Sequence, residues 1–246
     1  MKMRLMTRKT QLLLFLLLMF MLHVGSACNI ESYSIIGSGT TATEERSVKS
    51  FIALKVSGGI EVELTQSDTE SLVITADDNV LPLIESVVSD GVLRIRLKES
   101  VRNAGTMKAL VSFRKLESID ISGAVKLKGT NPMTFQNIDL ESSGASEIRL
   151  DINATSIKAK ISGASSLSVR GKSAHSRVDA SGASRVYASD METQTTSIDA
   201  SGASIIEVWA TEKINADASG ASSIRYKGKP GQLQRNTSGA SSVSPF

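Results

Sequence analysis

Apolar and polar residues alternate in short stretches through most of the second half of the chain. Val178-Asp179-Ala180 is one such stretch, and Arg185-Val186-Tyr187-Ala188 follows it after only four residues. Strict alternation directs successive side chains to opposite faces of an extended strand, so it predicts strands with one buried face. From about residue 116, the chain is therefore predicted to be a series of short, half-buried β-strands.

The four residues between such strands, Ser-Gly-Ala-Ser, recur seven times along the chain. The first copy has Val125 in place of the last serine, and the other six are complete. The glycines follow one another at intervals of 21, 19, 19, 20, 18 and 19 residues, at Gly123, Gly144, Gly163, Gly182, Gly202, Gly220 and Gly239. A repeat of about 20 residues is typical of solenoids, in which each unit packs on the next.

The repeat predicts an all-β fold, a right-handed parallel β-solenoid (β-helix) with about seven rungs of 18–21 residues. Glycine suits the corner of a rung because it adopts backbone conformations that other residues avoid. Parallel crossovers are usually right-handed, and this sets the predicted hand. A left-handed hexapeptide helix is the rival fold. It requires three six-residue units per rung, whereas this chain has one glycine corner per rung and a variable rung length.

Residues 47–115 lack the repeated word and predict a β-rich cap at the N-terminal end of the solenoid. Residues 92–97 alternate like a strand, and Ser57-Gly58-Gly59 predicts a turn. The larger aliphatic side chains of this region would cover the open strand edge, which otherwise tends to recruit a second chain. The folded domain is thus predicted to be residues 47–246, with the repeats in 116–246.

The first 27 residues have the pattern of a secretory signal peptide. Four basic residues precede an apolar run over 12–22, and Gly25-Ser26-Ala27 supplies small residues for cleavage. Cys28, the only cysteine of the sequence, follows directly, which resembles the acylation site of bacterial lipoproteins. Ordinary cleavage that leaves an unmodified cysteine is the alternative. Residues 28–46 are rich in Gly, Ser and Thr and predict a flexible tether.

Removal of the signal peptide changes the charge of the protein. The whole chain carries a formal charge of +3, and the predicted signal contributes four cations and no acids, so the remainder carries −1. The absence of a basic excess argues against nucleic-acid binding. The signal and Cys28 predict an exported outer-membrane lipoprotein of a Gram-negative bacterium. A soluble periplasmic or secreted protein is the alternative.

Several segments resemble the autotransporter-adhesin head GIN domain family, found in exported proteins of Bacteroidetes-type bacteria. The resemblance covers nearly all the chain from about residue 47. It is carried by Gly59-Ile60-Glu61, the Asp77-Asp78-Asn79 turn, Asp90-Gly91-Val92-Leu93-Arg94-Ile95, the Ser-Gly-Ala-Ser series and Tyr226-Lys227-Gly228-Lys229-Pro230. Glu61 stands where the family's name motif has Asn, and a carboxylate can accept but cannot donate a hydrogen bond. The resemblance implies a β-solenoid fold and cell-surface adhesion, and it brings no catalytic residues.

Acidic side chains recur two residues before the repeat serines, where they would form a column on successive rungs. The column includes Asp120, Asp179, Asp199 and Asp217. Rungs about 5 Å apart would bring these carboxylates close enough to share a cation, as in calcium-dependent polysaccharide lyases built on β-helices. The alternative is a solvated ladder, because calcium takes about six to eight oxygen ligands and a straight column offers too few.

His175 is the only histidine after the predicted signal peptide. A catalytic triad needs a histidine between a nucleophile and an orienting acid. The position of His175 beside Lys172 and Arg177, on the variable side of its rung, predicts a surface side chain instead. No catalytic residue, metal site or cofactor is therefore predicted.

Alternation places two outward columns of side chains beside the corners. They are Lys126, Glu147, Ser166, Arg185, Ile205 and Ser223 in one column, and Lys128, Arg149, Ser168, Tyr187, Glu207 and Arg225 in the other. Tyr187 and Ile205 lie in these columns, and Trp209 follows on the same rung as Ile205. Such a cluster could stack on a sugar ring or on a partner protein. Packing under a neighbouring loop is the alternative.

The sequence therefore predicts a non-enzymatic β-solenoid of the cell envelope, an adhesin held to the membrane by a lipid anchor at Cys28. Its predicted partner is a surface glycan or a surface protein, with Tyr187, Ile205 and Trp209 as the candidate ligand-binding residues. Two alternatives remain. One is a polysaccharide lyase-like enzyme on a β-helix, and the other is a purely structural envelope protein.

Overall fold

The computed structural model describes residues 34–246, so the predicted signal peptide, Cys28 and the first part of the predicted tether lie outside the described residues. Within this range the fold is all-β, apart from a 3-10 turn at Leu81–Leu83, and no helix is long and apolar enough to cross a membrane. The strands are β1 (Ile35–Ile36), β2 (Thr41–Arg46), β3 (Ala53–Gly58), β4 (Glu61–Gln66), β5 (Ser71–Asp77), β6 (Ile84–Ser89), β7 (Val92–Leu97), β8 (Val101–Arg102), β9 (Lys108–Phe113), β10 (Ser118–Gly123), β11 (Lys126–Gly129), β12 (Met133–Ser142), β13 (Glu147–Ile161), β14 (Ser166–Ala180), β15 (Arg185–Ala200), β16 (Ile205–Ala218), β17 (Ser223–Lys227), β18 (Gln232–Thr237) and β19 (Ser242–Pro245).

The repeats form two long parallel ladders that meet at the Ser-Gly-Ala-Ser corners. The segment before each corner pairs with the segment before the next corner, and the segments after the corners pair in the same way. Glu147 pairs with Ser166, for example, and Ser166 pairs with Arg185 one repeat further along. The prediction of an all-β parallel solenoid is thereby confirmed, whereas its right-handed winding stays a prediction.

Each turn buries apolar residues that stack into continuous columns inside the solenoid. One column runs through nine strands and is buried at every position: Ala109, Val62, Leu127, Ile148, Leu167, Val186, Ile206, Ile224 and Val243. Complete burial of a Val, Leu or Ile side chain stabilises a fold by about 1.5–3 kcal/mol. Because these residues contact the turns on both sides, no turn buries its core without its neighbours.

The first levels of the stack are out of chain order. β3 and β4 pair on one side with β10 and β11 of the first repeat, and on the other side with β7 and β9. The later segment thus forms the outer level, and the earlier segment lies between it and the repeats. Gly58 pairs with Gly123 and becomes an eighth corner glycine. The sequence predicts only a turn at this position, and its place in the corner column comes from the strand pairing.

Antiparallel strands cover the edge of the stack at this end. β5 pairs with β9 and with β2, and β6 pairs with β7. Residues 41–46, predicted to belong to the flexible tether, form β2 instead. At the end of β2, the Arg46 guanidinium donates hydrogen bonds to the Leu81 carbonyl oxygen at 3.0 Å and to Ser86 Oγ at 3.2 Å. The predicted tether therefore does not extend over β2, because strand pairing and Arg46 hold this segment in the cap.

Asp77 is a buried carboxylate that joins two loops of the cap. Its Oδ2 accepts hydrogen bonds from the backbone N–H groups of Gly39 and Gly105, each at 3.2 Å. Asp77→Ala leaves both donors without this partner, so we expect the free energy of unfolding to fall by about 1–3 kcal/mol. Urea denaturation measures the loss, and hydrogen exchange should accelerate at both glycine amides. The exposed Asp68→Ala is the control, and an equal loss in both variants would contradict the clamping role of Asp77.

A further hydrogen-bond ladder runs along the corners. The N–H of each corner alanine donates to the carbonyl oxygen of the corner glycine one turn earlier, at 2.7–2.8 Å, as Ala183 does to Gly163. The last serine is at most 1% exposed in five of the six complete words: Ser146, Ser165, Ser184, Ser204 and Ser222. The corners therefore stack on one another, and backbone hydrogen bonds join each corner to the next.

Candidate functional site

The outward side of the strands that follow the corners, called the post-corner face below, carries the predicted ligand-binding residues. The strand registers align both predicted columns as the alternation indicated. In the second column, Lys128 pairs with Arg149, and Ser168 pairs with Tyr187. Side chains in one column are about 4.8 Å apart from turn to turn, so residues from four turns can line a single site.

The turn containing β14 leaves a depression in the post-corner face. It presents Ser166 and Ser168, whereas neighbouring β13 presents Arg149 and neighbouring β15 presents Tyr187. The two flanking strands are two strand spacings apart, about 9.6 Å. Short hydroxyl side chains between long ones therefore open a space between β13 and β15, called the serine gap below.

The Ser168 side of the serine gap belongs to a groove of about 390 Å³ on the same face, whereas Ser166 and Arg185 lie next to this groove and do not line it. The groove lies against Leu150 and Val169, which are almost fully buried, and against Gly129. Its other lining residues are polar: Lys128, Arg149, Asp151, Ser168, Arg170, Tyr187, Ser189 and Asp190. Small-molecule sites in proteins have volumes of about 300–1,000 Å³, so the groove can accept a ligand of one or a few sugar units.

Tyr187 stands at one wall of the groove with 40% of its surface exposed. Its hydroxyl has no hydrogen-bond partner within residues 34–246. Immediately after it, β15 bulges: Ala188 pairs with Val208 and Glu192 pairs with Trp209, so the three residues between are unpaired with β16. Met191 fills the interior from this bulge, while exposed Asp190 lines the groove. The bulge thus adds a carboxylate to the groove that Tyr187 lines.

Ion pairs neutralise part of the charge around the groove. Arg149 pairs with Glu147, and Arg170 Nε lies 3.2 Å from Asp151 Oδ2. In the described part of the chain, three charged residues near the groove have no ion pair: Lys128, Arg185 and Asp190. The unpaired groups are therefore two cations and one carboxylate, and they remain available to a ligand.

Ile205 and Trp209 share the post-corner face with Tyr187 but lie outside the groove. Ile205 is 39% exposed and pairs with Arg185. Trp209 is half-buried, and the Lys227 ammonium lies 4.3 Å from its ring centroid in a cation–π contact. Of the three predicted ligand-binding residues, Tyr187 alone lines the groove. Ile205 offers a neighbouring apolar contact, and Trp209 is partly covered by its own neighbour.

The predicted acidic column lies on the other side of the corners and is divided by cations and an amide. Lys55 pairs with Asp120 at 2.6 Å, and the Asn236 amide donates to Asp217 at 2.7 Å. The hydrogen bond from Lys160 to Glu141 raises the pKa of that lysine, and the hydrogen bond from Arg177 to Asp179 raises the pKa of the Arg177 guanidinium. Across residues 34–246, no three His, Cys, Asp or Glu side chains are grouped to hold a metal ion.

His175 is exposed, and its Nδ1 lies 2.8 Å from Thr195 Oγ1. No carboxylate is hydrogen-bonded to the imidazole in the part of the chain that the structure describes. A triad needs both a nucleophile and an orienting acid at the histidine. The surroundings of His175 thus lack one of the groups that this chemistry requires.

Sequence reasoning did not identify the groove, although one signal for it is visible. The two outward columns are charged, apolar or aromatic at most levels, but both become serine at Ser166 and Ser168. Two short residues at the same level indicate a gap. No comparable signal in the sequence shows that Lys128, Arg185 and Asp190 lack ion pairs, because the pairing of a charge depends on side chains from the neighbouring turns.

Fold and site together define a β-solenoid with a ligand-sized groove on its outward face. The sequence profile described as "Putative auto-transporter adhesin, head GIN domain" matches residues 50–230. The chain belongs to this family, as the resemblance of its motifs indicated. No functionally curated protein matches the chain.

Solved structures with this fold include a "putative adhesin" from Bacteroides fragilis, with a TM-score of 0.83 and 24% identity. A "putative adhesin" from Parabacteroides distasonis has a TM-score of 0.71 and 21% identity. A "putative lipid binding protein" from the same species has a TM-score of 0.73 and 18% identity. Each alignment covers 87% of this chain and 100% of the other. At these identities the likeness establishes the fold.

Proposed function

We propose that this protein is a non-enzymatic binding module of the cell envelope that attaches to a surface glycan or a surface protein. The observation that carries the proposal is the post-corner face, where exposed Tyr187 lines a polar groove and exposed Ile205 lies on the neighbouring strand of a continuously hydrogen-bonded stack. The family's description as an adhesin and the names of the B. fragilis and P. distasonis structures support the same class of function.

The polysaccharide lyase is the alternative from a different class. It would depend on the acidic column, and there Asp120, Asp179 and Asp217 are engaged by Lys55, Arg177 and Asn236. Carboxylates held in this way are poorly placed to share a catalytic cation. A purely structural role is the second alternative, and it provides no reason for an exposed aromatic side chain beside a groove.

A binding screen of residues 34–246 tests the proposal. The purified domain is presented to a glycan array, to extracellular-matrix proteins and to whole cells, and bound protein is quantified. We expect saturable binding to at least one surface, with no release of reducing ends or unsaturated sugars from a polysaccharide panel. Failure to bind any of these surfaces would favour the structural alternative, and product release would favour the lyase.

We further propose that Cys28 carries a lipid anchor and that the protein is an exported outer-membrane lipoprotein of a Gram-negative bacterium. The support is the pattern of residues 1–27 and the position of Cys28 after Gly25-Ser26-Ala27. A soluble periplasmic or secreted protein is the alternative. A lipid anchor would display the solenoid at a membrane surface, where many weak contacts combine into strong attachment.

Cys28→Ala in the full chain should move the protein from the membrane fraction to the soluble fraction. An acyl chain contributes about 0.8 kcal/mol of membrane affinity per buried methylene, and alanine removes its attachment point. Fractionation of cells followed by immunoblotting measures the distribution. Ser32→Ala, four residues further along, is the matched control and should stay with the membrane. Membrane association that survives Cys28→Ala would exclude this anchor.

A further inference from the structure

One wall of the serine gap combines an unpaired guanidinium with an aromatic ring. Arg185 and Tyr187 are two residues apart on β15 and both are exposed, so their side chains leave the same face of the strand about 7 Å apart. Arg185 pairs through its backbone with Ser166 and Ile205, neither of which carries a charge. No ion pair involves Arg185 within residues 34–246, so its guanidinium is free to meet an anion at the gap.

The opposite wall adds further positive charge. Lys128 and Arg149 are stacked in the same column as Tyr187, with Ser168 between them and the ring. Arg149 is committed to Glu147, but Lys128 has no ion pair within residues 34–246. Cations on both sides of a narrow gap reinforce one another at an anion placed between them.

The free carboxylate sits at the far end of the groove. Asp190 pairs through its backbone with Arg170. Because Arg170 and Ser168 lie on opposite sides of Val169 along β14, Asp190 lies away from Arg185. A carboxylate accepts hydrogen bonds from hydroxyl groups. The groove therefore offers a cationic part next to the serine gap and a hydroxyl-accepting part next to the bulge.

We infer that the serine gap binds a carboxylate-bearing sugar residue of an acidic glycan. The sugar ring packs against the Tyr187 ring, Arg185 forms a two-pronged hydrogen bond with the sugar carboxylate, and Asp190 accepts from sugar hydroxyls. The planar guanidinium matches a carboxylate better than a lysine ammonium does. This inference rests on the proposed binding function and names the ligand class of its site.

Isothermal titration calorimetry with residues 34–246 tests the inference against two probes, galacturonan fragments and hyaluronan fragments. Each probe is compared with its carboxyl-reduced form, which keeps the sugar chain but loses the charge, and with poly-L-glutamate, which keeps the charge but has no sugar rings. We expect binding of at least one acidic fragment that weakens at least tenfold on carboxyl reduction. We expect no comparable binding of poly-L-glutamate, and the affinity should fall as salt rises.

Variants then assign the binding to the gap. Arg185→Gln and Tyr187→Ala should each weaken it about tenfold or more, whereas Tyr187→Phe, which keeps the ring, should retain most of the affinity. Arg94→Gln removes an arginine that is also exposed, on β7, and should leave binding unchanged. All three positions are exposed, so the circular dichroism spectra and melting temperatures of the four variants should match those of the parent.

Three results would overturn the inference. They are no binding of either acidic fragment, equal binding of the carboxyl-reduced forms or of poly-L-glutamate, and binding that Arg185→Gln and Tyr187→Ala leave intact. If the domain still attaches to cells or matrix in these cases, the binding function stands and only the ligand class is wrong. If it binds acidic fragments but no cell or matrix surface, the groove assignment stands and the adhesive function fails.

Discussion

Gly182→Val should lower the free energy of unfolding by roughly 2–6 kcal/mol. Gly182 has φ of +74°, a region that a β-branched residue rarely adopts, and a Cβ built there lies 2.8 Å from the Gly163 carbonyl oxygen. Backbone strain and overpacking each cost about 1–3 kcal/mol. The oxygen cannot move aside, since it accepts the corner hydrogen bond from Ala183. Urea denaturation followed by circular dichroism measures the loss.

Two other glycines separate the causes of this loss. Gly39 has φ of +78° but open space around its Cβ position, so Gly39→Val should show the strain without the clash. Gly239 has φ of +71° and the same 2.8 Å approach, to the Gly220 oxygen. It belongs to the last turn of the described stack, so Gly239→Val should fray that turn and cost less. Equal losses at Gly182 and Gly39 would mean that the corners are not stacked.

Combined replacement of Tyr187, Ile205 and Trp209 by alanine should weaken binding to the surface partner by roughly thirtyfold or more. Truncation of a central aromatic contact typically costs at least about 2 kcal/mol, and about 1.4 kcal/mol corresponds to a factor of ten. Tyr187→Ala alone should account for most of the loss, because Tyr187 lines the groove while Trp209 lies outside it and is partly covered by Lys227. Binding to whole cells, measured by flow cytometry at several protein concentrations, gives the change.

The control variant combines Asp179→Asn, Asp199→Asn and His175→Ala. These residues lie away from the post-corner face and should leave binding nearly unchanged. Circular dichroism must show that both triple variants keep the β-sheet spectrum. If the control variant loses binding and the first variant keeps it, the binding site lies at the acidic column and not on the post-corner face. Release of sugars from a polysaccharide panel by the parent protein, lost when Asp179 and Asp199 are replaced, would favour the lyase over the adhesin.

Two local signals made the solenoid and its post-corner face predictable. Alternation assigns inward and outward residues within a strand, and a word repeated at near-constant spacing sets which residues stack. This is why the column through Arg149, Ser168 and Tyr187 follows from the sequence, and the strand registers confirm it. Family membership likewise follows from motifs that are contiguous in the chain.

The cap could not be predicted in detail, because its pairing is not local. Gly58 stands in Ser-Gly-Gly-Ile rather than in the repeated word, and nothing nearby indicates that it stacks on Gly123. The insertion of β3 and β4 between later strands reverses the order that a simple winding would follow. Strand β2 has no signal of its own in the sequence for the same reason, since its polar residues form a strand only through pairing with β5.

The sequence by itself determined the all-β solenoid, its glycine corners and the residues of its outward columns, because each follows from spacing along one chain. Only the tertiary structure decided which charges remain unpaired and where the columns enclose a space. Glu147 neutralises Arg149, Asp151 neutralises Arg170, and nothing within residues 34–246 neutralises Arg185. The physical reason is that ion pairing and groove shape depend on atoms brought together from different turns, at distances that no spacing along the chain specifies.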